Sequence, residues 1–130
     1  MMETTHQPSP KTSLAGVRVL LVEDEAMVAM LIEDVLEDLG CVTVGPAARV
    51  SSALALMDRH PVELAVLDVN LGGEKVFPVA DRLAEEGVPF LFSTGYGAAG
   101  LEGQHQGRPV LPKPFDPDQL GPALRALRRG

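Results

Sequence analysis

The run Leu64-Ala65-Val66-Leu67-Asp68-Val69-Asn70, closed by Gly72-Gly73, constrains this chain more than any other stretch. Four apolar residues lead without a break into a carboxylate, and turn residues follow. A short unbroken apolar run bounded by turn residues reads as a strand buried on both faces. Such strands belong to parallel sheets covered by helices. In open sheets of this kind ligands bind outside the carboxyl ends of the strands. Asp68 stands at such an end, so the residues to find are those that reach the same edge.

The rest of the chain supplies the partners of that strand. Residues 1–14 are polar, contain Pro8 and Pro10, and read as a disordered tail, which leaves 15–130 as the folded domain. Val17 to Val22 is a first strand ending in Glu23-Asp24-Glu25. Residues 26–39 follow a helical period, with Val28, Leu31, Ile32, Val35 and Leu39 on one face, and Gly40 stops the helix. Met27 and Met30 read as packing residues. Cys41 to Val44 is a second strand that Gly45-Pro46 ends. Residues 50–59 form a second helix behind Arg49, a poor N-cap, with Ala53, Leu54, Leu56 and Met57 inward. A third helix covers about 75–86, with Val76, Val79, Ala80 and Leu83 inward and Pro78 confined to its first turn. Val88 to Phe92 is a fourth strand, followed by Ser93-Thr94-Gly95.

A fourth helix belongs after that strand, but residues 95–108 hold five glycines, which disfavour one. A mobile loop with at most one helical turn is expected, with His105 solvated in it. Pro109 to Leu111 is a fifth strand, ending in Pro112-Lys113-Pro114. Asp116 then caps a last helix, with Pro117 in its first position and Gln119 in its third. Pro122 lacks an N–H and is a place where this helix can kink. Arg125, Arg128 and Arg129 suit the negative end of its dipole.

Strands and helices alternate five times, which argues for a parallel sheet with helices on both faces. A length of 130 residues, 45% of them hydrophobic, fits one such domain. The net charge of −7 argues against a nucleic-acid partner. Cys41 is alone, so no internal disulfide forms, in keeping with a reducing cytosol. No signal-like segment opens the chain, and no apolar run is long enough for a membrane span.

Polar groups therefore collect at successive strand ends: Glu23 and Asp24, then Asp68, then Thr94, then Lys113. Any one alone is a weak signal, since a carboxylate at a strand end is often a helix N-cap. If the first strand is central and the third lies beside it, three carboxylates converge, and a cation must offset their repulsion. Mg²⁺ suits oxygen ligands of this kind. A hydroxyl and an ammonium opposite would suit an incoming phosphoryl group.

In this order the motifs resemble the receiver domain of bacterial two-component response regulators, over about residues 16–129. Leu20-Leu21-Val22-Glu23-Asp24-Glu25 resembles the acidic pair, and Leu67-Asp68-Val69-Asn70 the phosphoacceptor strand. Thr94 fits the switch Thr or Ser, and Leu111-Pro112-Lys113-Pro114-Phe115 the Lys-Pro-Phe motif. Phe92-Ser93-Thr94-Gly95-Tyr96 further resembles the "FATGUY" subgroup. The resemblance implies a flavodoxin-like, doubly wound sheet of five parallel strands in the order 2-1-3-4-5, with the fourth helix short or missing.

It also implies a cytoplasmic phosphorelay protein that catalyses only its own phosphorylation and dephosphorylation. Asp68 would accept a phosphoryl group from a sensor histidine kinase or phosphotransfer protein. Mg²⁺ would be held by Asp24, Asp68 and the backbone carbonyl of Asn70, with Glu23 acting through water. Lys113 would bind the carboxylate and then the phosphoryl oxygens, Thr94 would hydrogen-bond the phosphoryl group, and the Lys113–Pro114 bond would be cis.

Two departures matter. The family's aromatic switch residue lies three before the Lys, where this chain has Val110, so the loop 95–108 is expected to carry the switch instead. The chain also stops after its last helix, which implies a stand-alone receiver that binds a downstream protein or acts as a phosphate sink or shuttle, with neither DNA nor membrane as partner. The competing reading is a Mg²⁺-dependent phosphoryl- or nucleotidyl-transfer enzyme, Toprim-like or haloacid-dehalogenase-like. Both want an acid where Asn70 stands, and the first gives no role to Thr94 and Lys113. A receiver-like module that is never phosphorylated would not need Asp68, Thr94 and Lys113 together.

Overall fold

The computed structural model describes residues 13–95, 101 and 103–129. Five parallel strands, β1 (Arg18–Val22), β2 (Val42–Ala47), β3 (Leu64–Asp68), β6 (Phe90–Thr94) and β7 (Val110–Pro112), lie in the order β2-β1-β3-β6-β7. Ranked along the chain, this is the expected 2-1-3-4-5. A two-stranded antiparallel hairpin, β4 (Asn70–Leu71) and β5 (Glu74–Lys75), follows β3 directly. Gly72 and Gly73, at φ +57° and +98°, make its turn, where two successive positive φ values match the twist of the strands. The sequence reading ran the third helix through part of this hairpin.

The strands divide their side chains between two cores with a period of two. On one side Leu20, Val22, Ala65, Leu67, Phe90 and Phe92 meet α2 (Val50–Arg59) and α3 (Phe77–Glu85). On the other, Val19, Leu21, Leu64, Val66 and Leu91 meet α1 (Ala26–Asp38) and α4 (Leu120–Arg129). The leucines of β1 and β3 are fully buried, each worth about 1.5–3 kcal/mol of apolar burial. Burial on both faces is what the apolar runs demanded. Leu14 is buried in the second core, and the Ser13 carbonyl accepts from Arg128 Nε at 3.0 Å. The folded body therefore reaches back past the boundary expected at residue 15.

Several expectations need correction. In α1 the buried residues are Ala29, Ile32 and Leu36, whereas Leu31, Met27 and Met30 are exposed, the methionines at 84% and 61%. The face turned to the sheet is centred on Ile32, one side of the stripe read from the sequence. Strand β6 starts later than expected and runs through Ser93 and Thr94. Pro122 lies in the first turn of α4, after a 3₁₀ turn (Pro117–Gln119) that Asp116 caps. A missing N–H is harmless there, because first-turn N–H groups lack helical partners. Leu101 and His105 are buried, so the Gly-rich stretch is docked there, with one 3₁₀ turn at Gly103–His105. Residues 96–100 and 102 of that loop, Tyr96 among them, lie outside the described ones.

Strand β2 does not end at Gly45-Pro46 but continues to Ala47 past an irregularity in its register with β1. It is an edge strand, where proline is tolerated. Gly45 sits at φ +115°, and a Cβ there would come 2.7 Å from the Leu21 carbonyl oxygen. Gly45→Ala is therefore expected to destabilise the fold by about 2 kcal/mol or more. A thermal melt should fall by roughly 5–10 °C; an unchanged melt would show that the bulge relaxes freely.

Candidate functional site

The register of the sheet sets the site. Val22 lies level with Leu67, Asp68 with Ser93, and Thr94 with Pro112. The C-terminal ends of β1, β3, β6 and β7 thus open on one cleft of about 510 Å³, lined by Asp24, Glu25, Asp68, Asn70, Gly72, Thr94, Gly95 and Lys113. Continuing the alternation past the strand ends puts Glu23, Asp68 and Lys113 in phase with Leu21, Val66 and Leu111 on the α1/α4 side. Asp24 and Thr94 are in phase with the other side.

Lys113 Nζ lies 2.9 Å from Glu23 Oε1 and 3.4 Å from both Asp68 Oδ2 and Glu25 Oε1. It donates to Glu23 Oε2 at 3.2 Å. Oε1 is thus in ion contact but accepts no hydrogen bond. Glu25 N–H donates to Glu23 Oε2 at 3.1 Å, and Asn70 N–H to Asp68 Oδ1 at 3.3 Å. Thr94 is buried, and its carbonyl accepts from Lys113 N–H at 2.9 Å. The Lys113–Pro114 peptide is cis, as the resemblance implied; so is Gly45–Pro46.

One ammonium does not neutralise this cluster. Burial, and then the charge and hydrogen bond of Glu23, push the Asp68 carboxyl up to about 7, although Lys113 pulls it down. Burial alone would lower the Lys113 pKa, but Glu23, by hydrogen bond and charge, and then Asp68 outweigh it and hold the ammonium above the usual lysine value. Oxygens of Glu23, Glu25 and Asp68 lie within 4.8 Å of one another. Hard oxygen donors, excess negative charge and a buried carboxylate oxygen without a hydrogen bond together fit a divalent cation such as Mg²⁺.

All the residues singled out from the sequence therefore meet in this region, but their roles are unequal. Glu23 is buried and held by Lys113. Asp24 lines the cleft, its Oδ2 facing Gly72, and its carboxyl lies within hydrogen-bonding reach of Asp68; the mutually close oxygens are those of Glu23, Glu25 and Asp68. The sequence reading gave Glu25 no role. The signal was its place two residues after Glu23, which returns it to the same side. Asn70 Oδ1 accepts from Lys75 Nζ at 2.7 Å across the hairpin, an interaction that could not be read without the hairpin itself.

The family model for the response regulator receiver domain matches residues 19–125. SdrG from Sphingomonas melonis Fr1 is 44% identical, and its solution structure aligns with a TM-score of 0.76 over 86% of this chain and 96% of that one. The response regulator PhyR from Brucella abortus is 27% identical, with a TM-score of 0.76 over 90% of this chain and 49% of that one. The transcriptional regulatory protein TcrA of Mycobacterium tuberculosis is 39% identical over 123 residues, 89% of this chain and 47% of that protein. The chain spans about half the length of the curated relatives it matches. Among the described residues no helix is long and apolar enough to cross a membrane. Sequence relatives and sheet order agree, and the chain belongs to the response regulator receiver domain family of two-component signalling.

Proposed function

We propose that Asp68 is the phosphoacceptor of a cytoplasmic phosphorelay, charged by a sensor histidine kinase or a phosphotransfer protein. The observation that carries this reading is the pairing of Asp68 with Lys113 at 3.4 Å at the carboxyl edge of the sheet. An Asp68 oxygen attacks the phosphorus of a phosphohistidine. A P–O bond forms, the P–N bond breaks, and its electron pair leaves on the imidazole nitrogen, which takes a proton from solvent. Lys113, already among carboxylate oxygens, moves its ammonium onto the phosphoryl oxygens. Thr94 donates its hydroxyl to them. Asp24, Asp68 and the Asn70 carbonyl would hold Mg²⁺, with Glu23 through water and Glu25 near enough to join. The ion would neutralise charge on the phosphoryl oxygens.

The donor's approach is supported by what flanks the cleft. Met27 and Met30 stand exposed on α1. A groove of about 300 Å³ between Glu25, Val28, Leu31, Lys113, Pro114 and Phe115 runs beside them. An apolar patch bordering an acidic site suits a partner helix that presents a histidine. Phosphorylation then changes which downstream protein the domain binds, or the group is stored or passed on. The sequence Phe92-Ser93-Thr94-Gly95-Tyr96, which begins within β6, carries the proposed likeness to the FATGUY subgroup.

The test is incubation with acetyl phosphate and Mg²⁺. Wild type should gain one acid-stable, alkali-labile phosphoryl group, and Asp68→Asn none. Equal labelling of the two proteins would remove Asp68 from the role. Asp24→Asn should weaken Mg²⁺ binding in a calorimetric titration by about tenfold; undiminished binding would take Asp24 out of the metal set.

A further inference from the structure

His105 is only 2% exposed, in a stretch that composition makes glycine-rich and polar. Its ring stacks on Phe77 at 5.6 Å and 10°, and meets Phe90 and Phe92 edge-on at 5.9 Å each. Nε2 lies 2.7 Å from Asp81 Oδ1 on α3. A carboxylate only accepts, so Nε2 carries the hydrogen of this bond. Nδ1 is buried and has no hydrogen-bond partner among the described residues. Gln104 Nε2 reaches the same Asp81 oxygen at 2.7 Å. The other charge packed here is Arg108, whose guanidinium lies 4.4 Å from the centre of the Phe90 ring.

We infer that His105, seated in this aromatic socket on α3 and β6 and tied to Asp81, is the latch through which the state of Thr94 reaches the segment after β6. This rests on the reading of Asp68 as phosphoacceptor. Phe90, Phe92 and Thr94 alternate onto one face of β6, the face His105 covers. Thr94 is itself buried there. A hydrogen bond from its hydroxyl to a phosphoryl group draws it toward the cleft and changes the packing against Phe92. A close-packed interior does not absorb such a change smoothly.

Stacking and the Asp81 bond hold His105 in, while Nδ1, buried without a partner among the described residues, favours release. Opposed contributions of this kind make a two-position element that a small event can shift. Val110 offers no ring for the task; it packs as a half-buried residue against the same core. His105 supplies a ring from the other side of the loop.

The experiment is NMR of the whole chain, with and without Mg²⁺ and beryllofluoride as phosphoryl mimic. Without the mimic, the His105 imidazole nitrogens should report Nε2 as a donor engaged with Asp81. With it, those signals should move. The amides of Gln106 and Arg108, which donate to the Gly103 and His105 carbonyls, should exchange about tenfold faster or more.

Asp81→Asn, at a half-exposed surface position, should keep Asp68 labelling by acetyl phosphate and should speed those two amides even without the mimic. The latch is overturned if the mimic shifts the amides of Asp68, Asn70 and Thr94 but leaves the His105 ring, Gln106 and Arg108 unchanged. Failure of the phosphoacceptor reading looks different: no labelling and no shift at Asp68–Asn70, which takes the latch with it.

Discussion

Lys113→Met is expected to destabilise the metal-free protein by about 3–5 kcal/mol at pH 8, the range for removing one partner of a buried ion pair. The reason lies in what the ammonium leaves behind. Glu23 is 3% exposed and Asp68 7%, with Glu25 drawn to the same nitrogen. Methionine fills similar volume, so the loss is electrostatic rather than a cavity. Three carboxylates then share one pocket with no cation. Acid should relieve them, so the deficit should shrink from pH 8 to pH 5 as the cluster takes up a proton. Saturating Mg²⁺ should relieve them too. On the proposed role of Lys113 against the phosphoryl oxygens, phosphoryl transfer should fall at least a hundredfold. Urea unfolding at both pH values, with and without Mg²⁺, checks this. A loss below about 1 kcal/mol at pH 8 would mean that the lysine contact behaves as a surface pair.

The site and the fold were legible for the same reason: the residues that matter sit at fixed phases of two periodic patterns. The apolar runs of β1, β3 and β6 could only be strands buried on both faces, and each ends in its functional residue. Where the sequence misled, a non-local contact decided. Met27 and Met30 look like core residues because length and apolarity are visible in sequence, whereas the helix phase facing the sheet is set by packing around Ile32. His105 sits among glycines, and nothing local predicts burial. Its socket is made by Phe77, Phe90 and Phe92 from two other elements. The β4–β5 hairpin was readable, since two glycines between short polar-flanked strands are a turn signal. The helix-like phase of Val76, Val79, Ala80 and Leu83 masked it. Glu74 belongs to that hairpin and accepts from Val50 N–H at 3.1 Å, supplying the α2 cap that Arg49 cannot.

Asp68→Asn, which removes the proposed phosphoacceptor, is expected to make the metal-free protein more stable. The carboxyl group of Asp68 is held up at about 7 from an ordinary value of 3.8. The folded state therefore binds that proton more tightly than the unfolded chain does. Below about pH 4 both states carry the proton and the group imposes no penalty. Between about 4 and 7 the unfolded chain ionises freely while the folded one resists, and the folded state loses stability as pH rises. Above 7 the penalty is constant. Each tenfold in proton affinity is worth about 1.4 kcal/mol, and solvent screening at the cleft reduces the full penalty to on the order of 1–3 kcal/mol. Asparagine carries no charge at any of these pH values and escapes it. The variant should exceed wild type by that penalty at pH 8, and the two stabilities should converge as pH falls to 4. Excess Mg²⁺ should narrow the gap at pH 8 by stabilising only the protein that keeps the carboxylate. Denaturant melts across this pH range decide the matter. A difference that is flat from pH 4 to pH 8, or a variant weaker than wild type at pH 8, would show that Lys113 already compensates the buried charge.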